Sequence, residues 1–213
     1  EALGIPGLEA LQRTLEHIPR DIPVIGDAKR GDIGSVAQAH ARAMFQQRDF
    51  DAVTVNPYMG RDAVEPFLEY ADRGIFVLCH TSNPGAADFQ ELSLGQGNGQ
   101  RPLYEQVALK AREWDSRGNV GLVMGATYPE QLQKVRLLCP EMVILAPGVG
   151  AQEGVLEKVV RYGVDARGEG LIINASRSVI FASRNKDDFT SEARKAAQEL
   201  RQGINEAREG ASQ

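Results

Sequence analysis

Asp27, Lys29 and Asp32 stand close together in Asp27-Ala28-Lys29-Arg30-Gly31-Asp32. They follow the apolar run Ile22 to Gly26, which reads as a strand, so they lie at its carboxyl end. Asp27 and Lys29 are two apart, and on an extended strand such residues share a side. A carboxylate and an ammonium at the mouth of a buried strand are costly unless paired or used. Gly31 lets the chain turn before Asp32, which gives Lys29 a carboxylate on either side. A lysine so flanked suits a protonated acid better than a Schiff-base amine. Two readings fit: an ion pair that closes a strand end, or an acid set for proton transfer.

Three more strand ends carry polar groups. Cys79-His80-Thr81-Ser82-Asn83-Pro84-Gly85 places two hydroxyls and an amide, Thr81, Ser82 and Asn83, before a Pro-Gly turn. That is either plain turn chemistry or a set of donors for a ligand. His80 has no Cys, His or carboxylate set around it for a metal, so it reads as structural. Ala146-Pro147-Gly148-Val149-Gly150-Ala151-Gln152 has glycines that let backbone N–H groups approach an anion just before a helix. Asn174-Ala175-Ser176-Arg177-Ser178 offers a guanidinium that can fork onto phosphate oxygens. Taken together, Gly148, Gly150, Gln152 and Arg177 point to a phosphate site. No Ser-His-Asp or Cys-His arrangement is present, and no Cys/His cluster has metal spacing.

The elements that must position these groups alternate. Apolar, β-branched runs occur at Ile22 to Gly26, Ala52 to Asn56, Gly74 to Cys79, Val120 to Met124, Met142 to Ala146 and Leu171 to Asn174. Each is continuous, as in a parallel sheet buried on both faces. Helical spacing lies between them, over Gly7 to Glu16, Ser35 to Gln47 with Ser35 as N-cap, Arg61 to Ala71, Leu103 to Arg117, Pro129 to Leu138, Gln152 to Tyr162 and Thr190 to Arg208. Trp114 reads as core. The polar stretch from Ala86 to Pro102 reads as a lid or a flexible excursion. Six strands, each followed by a helix, fit either an open doubly wound sheet or a (β/α)8 TIM barrel. The dinucleotide fingerprint is absent, because Glu153 stands three positions after Gly150. In both architectures chemistry belongs at the carboxyl ends of the strands.

Bulk properties narrow the class. The 213 residues carry 24 Lys+Arg against 29 Asp+Glu, a net charge of -5, with 42% hydrophobic residues. This is the balance of a folded globular chain. It speaks against nucleic-acid backbone binding but not against one small phosphorylated ligand. No run is long and apolar enough for a membrane helix, and no signal peptide is visible. Cys79 and Cys139 sit in apolar runs and read as buried thiols of a reducing, cytoplasmic compartment.

The segment Asp27-Ala28-Lys29-Arg30-Gly31-Asp32-Ile33-Gly34-Ser35 resembles the orotidine 5'-phosphate decarboxylases, in the subgroup with Asp-Ala-Lys-Arg-Gly-Asp. The likeness continues through Asn56-Pro57-Tyr58-Met59-Gly60, Thr81-Ser82-Asn83-Pro84-Gly85, Gly125-Ala126-Thr127, Pro147-Gly148-Val149-Gly150-Ala151-Gln152 and Ala175-Ser176-Arg177. The resemblance implies a single (β/α)8 barrel domain over 1–213, working as a homodimer on a nucleotide, orotidylate, without metal or organic cofactor. The family uses a Lys-Asp-Lys-Asp tetrad, whose last three members match Asp27, Lys29 and Asp32. By this likeness Lys29 donates the proton to C6, Asp27 lies near the scissile carboxylate, and Asp32 reaches into the partner's site. Ser82, with Thr81 beside it, matches the pyrimidine contact, and Gln152 and Arg177 match phosphate ligands near the Gly148 and Gly150 backbone.

Two departures stand out. Val36 replaces a threonine of the family pattern. The pattern also has a strand-one aspartate and a strand-two lysine before the segment that here begins at Glu1, so the expectation is a chain with about six of eight βα units, lacking its first strands. Two other readings share some of these features: a barrel decarboxylase or aldolase acting on a sugar phosphate, and an inactive phosphate-binding fragment.

Overall fold

The structure is a computed structural model and describes residues 2–96, 99–149 and 153–211. Its contacts gather into two units, Glu1–Phe76 and Val77–Gln213.

The first unit begins with α1 (Gly4–His17), none of whose residues is buried. Strand β1 (Ile25–Arg30) leads to α2 (Gly34–Arg42), which continues into one wider π-type turn over Ala43–Gln47. Then come β2 (Ala52–Val55), α3 (Arg61–Leu68) and the start of β3 (Gly74–His80). The order is β1-β2-β3, and β1 pairs with β2 in parallel. The four residues of β2 are all buried. A strand of Ala, Val and Thr without in/out alternation is covered on both faces, as its continuous apolar run predicts. Beneath the helices Phe45 meets the ring of Phe67 edge-on at 6.3 Å and that of Tyr70 at 4.8 Å.

The second unit carries the rest of β3, one 3-10 turn at Pro84–Asp88, and a two-residue hairpin of β4 (Ser93–Leu94) and β5 (Arg101–Pro102). After it follow α4 (Leu103–Trp114), β6 (Val120–Met124), α5 (Pro129–Leu138), β7 (Val143–Pro147), α6 (Glu153–Gly163), β8 (Leu171–Asn174), the single turn α7 (Arg177–Ile180) and α8 (Phe189–Ala211). Here the order is β3-β6-β7-β8, and the β6–β7 and β7–β8 pairs are parallel. At the amino ends of β7 and β8 the buried Arg136 of α5 donates to the carbonyls of Cys139, Pro140, Met142, Gly163 and Gly170. Both cysteines are buried free thiols, as their apolar runs predict, and burial pushes both thiols up from their usual range.

Several sequence expectations are corrected. Strand β1 begins at Ile25, not Ile22, and extends through Asp27 and Lys29 to Arg30. The acidic and basic pair therefore lies on the strand, not after it. Ser35 is inside α2, whose N-cap is Ile33 without a side-chain bond. The polar stretch before Pro102 contains the 3-10 turn and the β4–β5 hairpin. Strand β8 alternates half-buried and exposed residues, and among the described residues it stands last in the strand order, beside β7. Trp114 is half-buried at the end of α4, not core.

Candidate active site

The first unit builds its polar cluster on an irregular stretch of β1. Ile25 and Gly26 face Ala52 and Val53, but the next pairing is Arg30 with Val55. Thus β1 takes four steps where β2 takes two, and Asp27, Ala28 and Lys29 bulge opposite Thr54. Lys29 sits at φ +47, left-handed backbone that costs a residue with a Cβ about 1–2 kcal/mol. Of the two such non-glycine residues among the described ones, Asp49 is of a type that tolerates this region, and Lys29 is not. The bulge turns the Lys29 side chain back on Asp27, with Nζ 2.6 Å from Oδ1 and 2.7 Å from Oδ2. The pair predicted from an extended strand does form, through a strained bulge rather than through strand alternation.

The buried hydroxyl of Thr54 accepts from the Lys29 backbone N–H at 2.9 Å and donates to Asp27 Oδ1 at 2.8 Å. Lys29 and Asp27 keep about half of their side-chain surface exposed, 48% and 57%. An ion pair so open adds about 0–1 kcal/mol to stability, no more than the backbone strain at Lys29 takes away. Strain held at a charged, open position makes this pair a candidate for chemistry. Asp32 stands apart from the pair. Its Oδ1 accepts from the N–H of Ile33 at 2.8 Å at the start of α2, and among the described residues Lys29 meets one carboxylate, not two.

In the second unit β3 ends at His80, which is fully buried between the edges of Tyr104 and Tyr128, with ring centroids 5.0 and 4.6 Å away. Burial holds its pKa below the usual value, and Glu91, 3.3 Å from Nε2, pulls it back up. This agrees with a structural histidine. The next residue, Thr81, is clamped by Gln90, whose Oε1 accepts from the Thr81 N–H and whose Nε2 donates to the Thr81 hydroxyl, both at 2.8 Å. That hydroxyl also donates to Asn83 Oδ1 at 2.7 Å. Ser82 is left exposed on this braced turn.

Two glycines let other loops approach Ser82. A Cβ on Gly125 would lie 2.7 Å from the Ser82 nitrogen, so only glycine fits there. Gly148 has φ +93 and passes Ser82 Oγ at 3.6 Å, measured from the place a Cβ would take. The strand-end loops after β3, β6 and β7 therefore converge on Ser82, as the sequence predicts for a ligand site at the carboxyl ends of the strands. Arg177 opens α7 and is exposed, next to Ser176, whose hydroxyl donates to Asn174 Oδ1. Gly150 and Gln152 lie outside the described residues.

Sequence reasoning missed Thr54 and Gln90. Thr54 looks like one more β-branched residue of a buried strand, and Gln90 is one amide in a polar stretch. The near invasion of Ser82 by Gly125 gave no signal beyond the glycine itself. Chemically, the first unit presents an ammonium held on a carboxylate, which can give up a proton. The second presents an exposed hydroxyl, glycine-lined backbone and a guanidinium, which can grip a polar, anionic molecule. Among the described residues no three His, Cys, Asp or Glu side chains are grouped to hold a metal ion.

Comparison with known proteins supplies the family. The family model described as Orotidine 5'-phosphate decarboxylase / HUMPS family matches residues 4–194. The chain belongs to this family. It is 53% identical over 208 residues to the orotidine 5'-phosphate decarboxylase of Roseiflexus castenholzii, covering 97% of this chain and 75% of that protein. The solved OMP decarboxylase of Leishmania donovani superposes with a TM-score of 0.85 at 41% identity, over 96% of this chain and 76% of that one. The orotidine 5'-monophosphate decarboxylase of Methanocaldococcus jannaschii, complexed with inhibitor BMP, superposes at 0.68 with 23% identity and shares the fold. The fold of this family member is thus the α/β (β/α)8 barrel kind, with six βα units in the described residues. No described helix is long and apolar enough to cross a membrane.

Proposed function

We propose that the chain is an orotidine 5'-phosphate decarboxylase, a carboxy-lyase that converts orotidylate to UMP and carbon dioxide in pyrimidine biosynthesis. The observation that carries this is the bidentate Lys29–Asp27 pair on the strained bulge of β1, in a chain of this family. In the reaction the C6–carboxylate bond breaks and its electron pair stays on C6. No electron sink exists in the ring, so the developing charge needs a fixed cation. Lys29 supplies that cation and then gives its Nζ proton to C6. Asp27 holds the ammonium in place and faces the departing carboxylate, whose loss relieves the repulsion between the two anions.

Ser82, braced by Thr81, takes the pyrimidine. Arg177, Gln152 and the backbone at Gly148 and Gly150 take the phosphate, whose remote binding energy is used to hold the ring in position. Asp32 acts in the site of a second copy. In support, Ile33, Val36, Tyr58 and Met59, all close in sequence to Asp32 or to the end of β2, are large apolar residues left exposed at 44–80%, the composition of a surface that another chain covers. The protein is a single domain that works in the cytoplasm as a homodimer, without a cofactor.

Orotidylate incubated with the purified chain is converted to UMP and carbon dioxide. Lys29→Ala and Asp32→Asn proteins, each inactive, regain turnover when mixed and reassociated, because one site of the mixed dimer has both native residues. Turnover of a sugar phosphate in place of orotidylate would contradict the proposed reaction, and failure of the mixture to recover would contradict the shared site.

A further inference from the structure

Nothing in the chemistry above uses Thr54, yet it holds the charged pair from both ends. It lies in the middle of β2, is 1% exposed, and is opposed by the bulge in β1, where the ladder jumps from Gly26–Val53 to Arg30–Val55. A bulge leaves backbone groups without ladder partners. The Thr54 hydroxyl takes up one of them, the N–H of Lys29 at 2.9 Å. The ladder then resumes with the Asn56 N–H on the Arg30 carbonyl at 2.7 Å. With its lone pair committed to Lys29, the same hydroxyl aims its proton at Asp27 Oδ1, 2.8 Å away. Threonine is stiff at χ1, so both directions are fixed by one rotamer packed in a buried strand.

We infer that Thr54 is a positioning residue for the decarboxylation: its hydroxyl locks the left-handed turn at Lys29 and orients the Asp27 carboxylate, so that the ammonium is held where the proton is delivered. Asp27 Oδ1 is shared by Thr54 and Lys29, while Oδ2 meets Lys29 alone. The carboxylate therefore cannot rotate without breaking the Thr54 bond. Loss of the hydroxyl frees both the carboxylate and the Lys29 backbone. Displacement of a reacting group by about 1 Å costs about 100-fold in rate. The inference rests on the proposed reaction for its kinetic part and on geometry alone for its structural part.

Thr54→Val keeps the branched shape and removes the hydroxyl; Thr54→Ser keeps the hydroxyl; Thr54→Ala removes it without added bulk, should Val fail to pack. The expected result with orotidylate is a fall of about 100-fold in kcat for Val and Ala with KM within about twofold, and near-native kcat for Ser. Equal loss in Ser and Val, or none in Val and Ala, overturns the inference. Crystal structures of the same proteins give a readout independent of turnover. The Lys29–Asp27 contact should open and Lys29 should leave the left-handed region in Val or Ala, and neither should change in Ser. An unchanged pair in Val and Ala overturns the inference whatever the activity. Absence of turnover in the unsubstituted chain overturns the proposed reaction instead, and the structural arm still decides the role of Thr54.

Discussion

Arg136 and Lys29 are both cations at strand ends, held in opposite ways. At the amino ends of β7 and β8, Arg136 is 7% exposed and spreads its guanidinium over five backbone carbonyls at 2.6–3.3 Å. Among the described residues no carboxylate bonds it directly, and burial lowers its pKa from the ordinary value while the nearby charge of Asp165 opposes this. Its planar fork supplies donors to the carbonyls of Pro140, Met142 and Gly163, and adds a second donor to those of Cys139 and Gly170, which also accept from the N–H groups of Met142 and Ile144. At the carboxyl end of β1, Lys29 is half-exposed, meets one carboxylate and sits on strained backbone. The first arrangement gains stability and offers nothing to a ligand. The second gains almost no stability and leaves a charged group accessible. With the proposed reaction placed at Lys29, this is the division known for barrels, in which one end of the strands carries stability and the other chemistry.

The contrast is broken most severely at the buried cation. Arg136→Met leaves several buried carbonyls without donors, each worth about 1–3 kcal/mol, so a loss of about 3–5 kcal/mol is expected. That is a fall of roughly 6–20 °C in Tm for a chain of this length, read by calorimetry. A fall below about 2 °C would show that the carbonyl cluster is not a structural pin. At the other end, Asp27→Asn should lower kcat by about 100-fold, because the ammonium loses the charge that holds it, while Tm stays within about 2 °C, as for any open ion pair. A Tm loss comparable to that of Arg136→Met would erase the distinction between the two ends.

The smallest expected effect concerns His80. Its folded-state pKa is held down by burial from the ordinary 6.5, so the unfolded chain takes up the proton first as pH falls. The stability it contributes is complete where the imidazole is neutral in both states and is lost as pH drops below about 6.5. Tm measured between about pH 7.5 and pH 5.5 should therefore fall less in His80→Gln than in the unsubstituted chain. Equal slopes would mean that His80 does not titrate against folding.

Much of this was legible in the residues. Continuous apolar runs located the six long strands, and the polar residues following them located the strand-end groups. The pair Asp27–Lys29 was found from type and spacing, although the reason given by spacing, strand alternation, is not the one the backbone uses. A left-handed lysine has no sequence signature, because nothing in Ala28-Lys29-Arg30 demands it; the bulge follows from how β1 meets β2. Thr54 was hidden because a threonine in a strand is ordinary. Arg136 was hidden because an arginine in a helical stretch is ordinarily solvated, and only the carbonyls around it explain why it is buried. Val36, a departure from the family pattern, is simply exposed on α2 at 45%.

The central claim is that the Lys29–Asp27 pair serves chemistry and not stability. Turnover of orotidylate and Tm measured on the same Lys29→Ala protein test it together. The expected result is a loss of about 1000-fold or more in kcat/KM with Tm within about 2 °C of the unsubstituted chain. A protein that keeps its turnover within about tenfold while its Tm falls by about 5 °C or more would contradict it.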